Sequence, residues 1–148
     1  MDEIAFAVTD SRVEDYKVVD ILINGQNLRQ WLAALERPVA QAEGQPTLAG
    51  AYEGLPPLLV LPPRRHFWGH PQAAYQHGAH TTLLEYAFSG VPGDWTFAAR
   101  IEVDAQGIIW HDFCQLRRPQ WSYEALPAFR FDLAQYQKAL DQAARHAY

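Results

Sequence analysis

The chain has 148 residues, 49% hydrophobic and 20% charged, which excludes a disordered polymer and predicts a single domain over residues 1–148. No apolar run approaches the ~18 residues of a membrane-spanning helix, and the acidic start Met1-Asp2-Glu3 is unlike a signal peptide, so a cytoplasmic location is expected. The net charge of −5 falls entirely in residues 1–53, where four Lys/Arg face nine Asp/Glu, a balance without the basic footprint of a nucleic-acid binder.

Residues 4–8, Ile-Ala-Phe-Ala-Val, read as a strand, with a turn at Thr9-Asp10-Ser11. Residues 16–23 are β-branched and apolar and form a second strand, ended by Asn24-Gly25. Asn27 then caps a helix near 27–36, with Gln30 placed for a capping box. Leu28, Trp31, Leu32 and Leu35 make its apolar stripe, and Pro38 is expected to end it. Residues 38–57 carry turn chemistry, and Leu58 to Leu61 reads as a short strand between proline pairs. Residues 62–80 form a loop far longer than usual, which implies a function, disorder or an unread element.

The second half is more regular. Thr81 to Phe88 reads as a strand, with a turn over Ser89–Asp94. From Trp95 to Val103, alternation sets Trp95, Phe97, Ala99, Ile101 and Val103 against a wetter face of Thr96, Ala98, Arg100 and Glu102. Asp104-Ala-Gln-Gly107 suits a tight turn with Gly107 left-handed, and Ile108 to Cys114 returns as the next strand. Asp132 caps a last helix near 132–145, with Gln135 completing a capping box and Phe131 and Tyr136 at the staple positions. Leu133, Tyr136, Leu140 and Ala144, with Ala143, form its core face. The fold class that follows is α+β: a mostly antiparallel sheet with a central meander over about 81–115, flanked by these two helices.

No phosphate loop, dinucleotide glycine pattern, zinc helix or serine elbow occurs. The single Cys114 rules out an internal disulfide framework and a multi-cysteine zinc site. His66, His70, His77 and His80 crowd one loop and are the best metal candidates, but Gly69, Pro71 and Gly78 interrupt the geometry a preformed site needs. No metal or other cofactor is expected. His111, Asp112 and Arg100 are the candidate catalytic groups of a hydrolase-like site. His111 and Cys114 lie three apart on a strand, so only a bulge would pair them as base and nucleophile. Trp95, Trp110, Trp121 and Tyr123 are the candidate ligand-binding aromatics, with packing as the competing reading. The pairs Arg64-Arg65 and Arg117-Arg118 read as solvated loop arginines.

The run Leu83-Leu-Glu-Tyr-Ala-Phe-Ser-Gly-Val-Pro-Gly-Asp-Trp95 leads into Ala99-Arg-Ile and Trp110-His-Asp-Phe113. Phe129-Arg-Phe-Asp132 with Gln135-Tyr136 follows. Together these motifs resemble a family of small uncharacterised bacterial proteins, over residues 83–140. Its members carry a Cys-Gly-rich turn before the Trp, then an Ala-Arg-Ile strand, and a Phe-x-Phe-Asp-x-x-Gln-Tyr helix start. The turn cysteines are missing here, so any metal or redox chemistry they imply is lost. The resemblance brings no activity with it.

The absence of catalytic motifs, the long loop and the acidic first third favour a binding or protein-interaction module over an enzyme. A His-loop metal binder and a small hydrolase are the alternatives. A protein partner or a homodimer fits such a chain; nucleic acid and membrane do not.

Overall fold

The computed structural model describes residues 1–13, 15–86 and 95–147. The expected turn over Ser89–Asp94 lies outside these residues, as do the last two positions of the strand expected over Thr81–Phe88. The fold is α+β, as the residue pattern predicts.

Strands β1 (Ile4–Asp10) and β2 (Lys17–Ile23) form an antiparallel hairpin, and β3 (Gln26–Asn27) folds back on β2 through Asn24-Gly25. The first strand thus runs through the expected turn at Thr9-Asp10, with Asp10 opposite Lys17. Helix α1 (Leu28–Ala42) begins as expected, Asn27 Oδ1 accepting from the Arg29 N–H at 3.0 Å. It does not stop at Pro38, which lies inside it. The lost hydrogen bond is outweighed because Leu28, Leu32, Glu36 and Ala40, four apart, form one buried stripe that needs the last turn.

Strand β4 (Tyr52–Glu53) follows, and then the segment expected to be a strand, Leu58 to Leu61, forms a helical turn, α2 (Pro57–Val60). Pro57 presets its first φ, and the turn buries Val60 and Leu61 while Leu58 faces solvent. The long loop holds elements too short to show in the sequence: 3₁₀ turns at His66–Trp68 and Ala73–Tyr75, then a hairpin of β5 (Gln76–His77) with β6 (His80–Tyr86).

Strands β7 (Thr96–Asp104), β8 (Gly107–Gln115) and β9 (Phe129–Phe131) complete a second antiparallel sheet, in the order β4-β6-β7-β8-β9 with β5 beside β6. The expected meander is its centre. The alternation on β7 is only half realised: Thr96 and Ala98 are also fully buried, and Val103, near the hairpin end, is 51% exposed. Asp104 Oδ1 accepts from the N–H groups of Gln106 (2.8 Å) and Gly107 (3.1 Å), closing the β7–β8 turn. Gly107 has φ +144°, not the left-handed value expected.

Helix α3 (Leu133–Ala147) is capped by Asp132, whose Oδ2 accepts from the Gln135 N–H at 3.0 Å. The Gln135 side chain does not close a capping box. It reaches across to β1, accepting from the Ile4 N–H (3.1 Å) and donating to the Ile4 C=O (2.6 Å). The buried face of α3 is Tyr136, Ala139, Leu140 and Ala143; Leu133 is 46% exposed, being about 60° round the helix from Tyr136 on its outer flank. Phe131 and Tyr136 do touch as a staple, rings 5.7 Å apart.

The core joins both sheets to α3. Phe6 of β1 meets Phe67 (4.7 Å) and Tyr136 (6.0 Å), and Trp110 of β8 meets Phe131 (5.4 Å). Trp110 Nε1 donates to the Tyr136 hydroxyl at 3.1 Å, and that hydroxyl donates to the Phe67 carbonyl. Among the described residues no helix is long and apolar enough to cross a membrane.

Candidate functional site

A cluster of arginine and tryptophan side chains sits where α1 ends against the segment after β8. Arg118 and Trp121 are brought close by successive turns, Arg118 N–H on Gln115 C=O (3.0 Å) and Trp121 N–H on Arg118 C=O (2.9 Å). Glu43, just past α1, clamps both: its carboxylate accepts from Arg118 Nε (2.9 Å) and Trp121 Nε1 (2.6 Å). Those bonds, Trp121 first and then Arg118, hold the Glu43 carboxyl below its ordinary value. The Arg118 guanidinium lies 5.1 Å from the Trp95 ring centre and 5.9 Å from that of Trp121, while the two indoles meet edge-on at 5.7 Å. Arg118 is therefore a packed residue, not the solvated loop arginine expected.

Beside this stack lies an open groove of about 630 Å³, lined by Gln45, Leu48, Tyr86, Trp95, Arg117 and Arg118. Trp95 is 6% exposed, and its buried Nε1–H has no hydrogen-bond partner among the described residues. Of the four candidate aromatics, Trp95 and Trp121 meet here. Trp110 does not: it is fully buried with Tyr136. Tyr123 is buried and its hydroxyl donates to Glu36 Oε2 at 2.6 Å.

The candidate catalytic trio occupies a different edge. Glu102 links two of its members, accepting from Arg100 Nη2 at 3.1 Å and meeting His111 Nε2 at 2.6 Å. A bulge follows: Ala98 faces Cys114 and Arg100 faces His111, so Asp112 and Phe113 share the place opposite Ala99. Asp112 carries φ +53° there, and His80 Nε2 lies 3.0 Å from its carbonyl and 3.2 Å from its carboxylate. The bulge does turn His111 and Cys114 to one face, as pairing would require. Yet His111 is engaged by Glu102, and burial, then Asp112, pushes the Cys114 thiol up, away from the thiolate a nucleophile needs. His111, Asp112, Tyr123 and Glu124 border a shallow hollow of about 280 Å³.

The loop histidines go separate ways. His66, a metal candidate in the sequence, is fully buried against Phe67 and Tyr75, with Nε2 at 2.7 Å from the Thr82 carbonyl. His77 meets the Thr82 hydroxyl at 3.0 Å, His80 meets Asp112, and His70 is exposed. Among the described residues no three His, Cys, Asp or Glu side chains gather around a point where a metal could sit.

Burial lowers the His66 pKa to about 4, since the Thr82 carbonyl only partly offsets desolvation of the cation. The neutral ring donates through Nε2 and leaves Nδ1 buried without a partner among the described residues. The unfolded chain thus binds a proton near pH 6.5 that the folded chain refuses until about pH 4. Stability from this group is complete above pH 6.5 and falls as the pH drops to about 4, by about 3 kcal/mol in all. Glu36, whose pKa is raised, acts in the opposite sense, so the comparison is with His66→Phe. Chemical denaturation at pH 7 and pH 4 is expected to show a loss smaller by about 3 kcal/mol in the variant. Equal losses in both proteins would refute the assignment.

Sequence reasoning missed Glu43 and Glu36, for neither follows a motif. The one available signal was an acid at helical spacing from the apolar stripe, at position 36. No family model, curated protein or solved structure matches the chain.

Proposed function

We propose that the protein is a binding module and that its ligand, an anionic segment of a partner protein, docks in the groove of Trp95, Arg117 and Arg118. The observation that carries this is the groove itself, where Arg117 and Arg118 line one open space with Trp95 and the Arg118 guanidinium lies 5.1 Å from the Trp95 ring centre. Arginine takes a carboxylate through charge-assisted hydrogen bonds, so two adjacent arginines on one groove suit an anionic segment. A cytoplasmic setting and membership of the resembled bacterial family belong to the same proposal.

The second reading is a small hydrolase using His111, Asp112 and Arg100. Its support is the 2.6 Å contact of Glu102 with His111, which orients an imidazole as acid–base catalysis requires. Cys114, the thiol on that face, is poorly suited to join it.

Tryptophan fluorescence on titration with an acetylated Glu-Tyr-Glu-Leu peptide is the test. Saturable quenching is expected in the parent protein, weakened at least tenfold in Arg117→Ala and insensitive to His111→Ala. Absence of saturation to millimolar peptide, or equal affinity in Arg117→Ala, would overturn the proposal.

A further inference from the structure

The outer edge of β1 presents backbone groups that the fold does not use. In an antiparallel pair, successive residues point their N–H and C=O alternately toward and away from the partner strand. Ile4 gives both groups to the Gln135 side chain, so it points away from β2. Phe6 and Val8, two and four residues on, point the same way. Among the described residues nothing bonds their outward N–H or C=O groups, and β1 is the edge of its sheet.

Three features separate this edge from an ordinary exposed one. Gln135 already occupies one position: its carboxamide accepts at 3.1 Å and donates at 2.6 Å, as the peptide group of a neighbouring strand would. Beyond it, α3 runs alongside the strand, and an open groove of about 530 Å³ separates Phe6, Ala7 and Val8 from the last turns of the helix. The helix turns a small residue, Ala143, toward this space. Arg145 and His146 stand exposed on the rim, and neither has an ion-pair partner among the described residues.

We infer that this groove is a strand-addition site for an extended, acidic peptide segment of a partner protein. The backbone of such a segment would continue the ladder from Gln135 along Phe6 and Val8, and alternate side chains would lie on Ala143. A Glu or Asp on the segment would meet Arg145, on a chain whose overall charge would otherwise repel it. A second copy of β1 suits the edge poorly, because the acid it carries, Asp10, is already paired with Lys17 at 2.5 Å. The groove shares no lining residue with the one at Trp95 and stands on its own observations.

The probe is an acetylated octapeptide alternating Val and Glu, compared with its Val/Lys counterpart and with the Val/Glu peptide N-methylated at alternate residues. Amide exchange is followed by NMR on the full chain. The Val/Glu peptide is expected to slow exchange at Phe6 and Val8 at least tenfold. Its affinity should fall at least fivefold in Arg145→Ala, an exposed change that leaves the core intact, and N-methylation should abolish binding. Equal binding of the Val/Lys peptide, unaltered affinity after N-methylation, or protection confined to residues around Trp95 would each overturn the inference. The last of these would leave the Trp95 groove as the peptide site, so the two proposals fail separately. Self-association through β1 without peptide, seen as a dimer in sedimentation, would overturn it as well.

Discussion

Glu36→Ala is expected to cost about 5 kcal/mol, a large part of the stability of a domain this size. The Glu36 carboxylate is fully buried on α1. One oxygen accepts from the Gly50 N–H at 2.9 Å; the other accepts from the hydroxyls of Tyr52 (2.7 Å) and Tyr123 (2.6 Å). Tyr52 in turn accepts from Gln115 Nε2 at 2.9 Å, so the cluster ties α1 to β4, β8 and the segment before β9. Burial raises the Glu36 pKa, and the three donors pull it back. Alanine would leave two buried hydroxyls and the half-buried Gly50 N–H without their acceptor, each buried donor worth about 1–3 kcal/mol, and a cavity besides. Glu36→Gln keeps the volume but turns an NH₂ group toward donors, so it should recover only part of the loss. Urea denaturation of the three proteins measures this; an alanine variant within 1 kcal/mol of the parent would disprove it.

Gly107→Ala should lower stability by about 4 kcal/mol. At φ +144° the residue occupies backbone space that side chains rarely enter, a strain of about 1–3 kcal/mol. An added methyl would also lie 2.2 Å from the Phe131 carbonyl oxygen, forcing β8 and β9 apart for a further 1–3 kcal/mol or so. Thermal melting reads the effect. Retention of the parent midpoint would mean that β9 is not held against β8 as described.

The parts of the fold legible in the sequence are those whose causes are local. Asp104–Gly107 marks a hairpin because its turn chemistry sits between two apolar runs, Asn24-Gly25 marks a strand end because both residues tolerate positive φ, and Asn27 and Asp132 mark helix starts because a cap acts over three residues. Pro38 misled for the opposite reason: its local penalty is real, but the burial of Ala40 that overrides it is tertiary. Leu58 to Leu61 is too short for any period to separate strand from helix. The candidate site was legible only as ingredients. Trp95 and Trp121 could be named, but the residue that assembles them, Glu43, lies 78 positions from Trp121, and no spacing encodes that pairing. His66 stands among Arg, Pro and Gly, and nothing nearby foretold that the Thr82 carbonyl would receive it. Gln135 was read as a cap since its sequence neighbourhood demands one, whereas its partner Ile4 is 131 residues away.

That last separation has a consequence during synthesis. The β1–β2 hairpin is local and can form as soon as residue 23 is free of the ribosome. Its outer side then waits for more than a hundred further residues, because Asp2 pairs with Arg130 and Ile4 with Gln135. Through that interval the whole length of β1 is open to any passing strand, a hazard for nascent chains. Only when residues 130–135 emerge is the Ile4 end closed, leaving Phe6 and Val8 as the remnant of a surface that the newborn chain exposes in full.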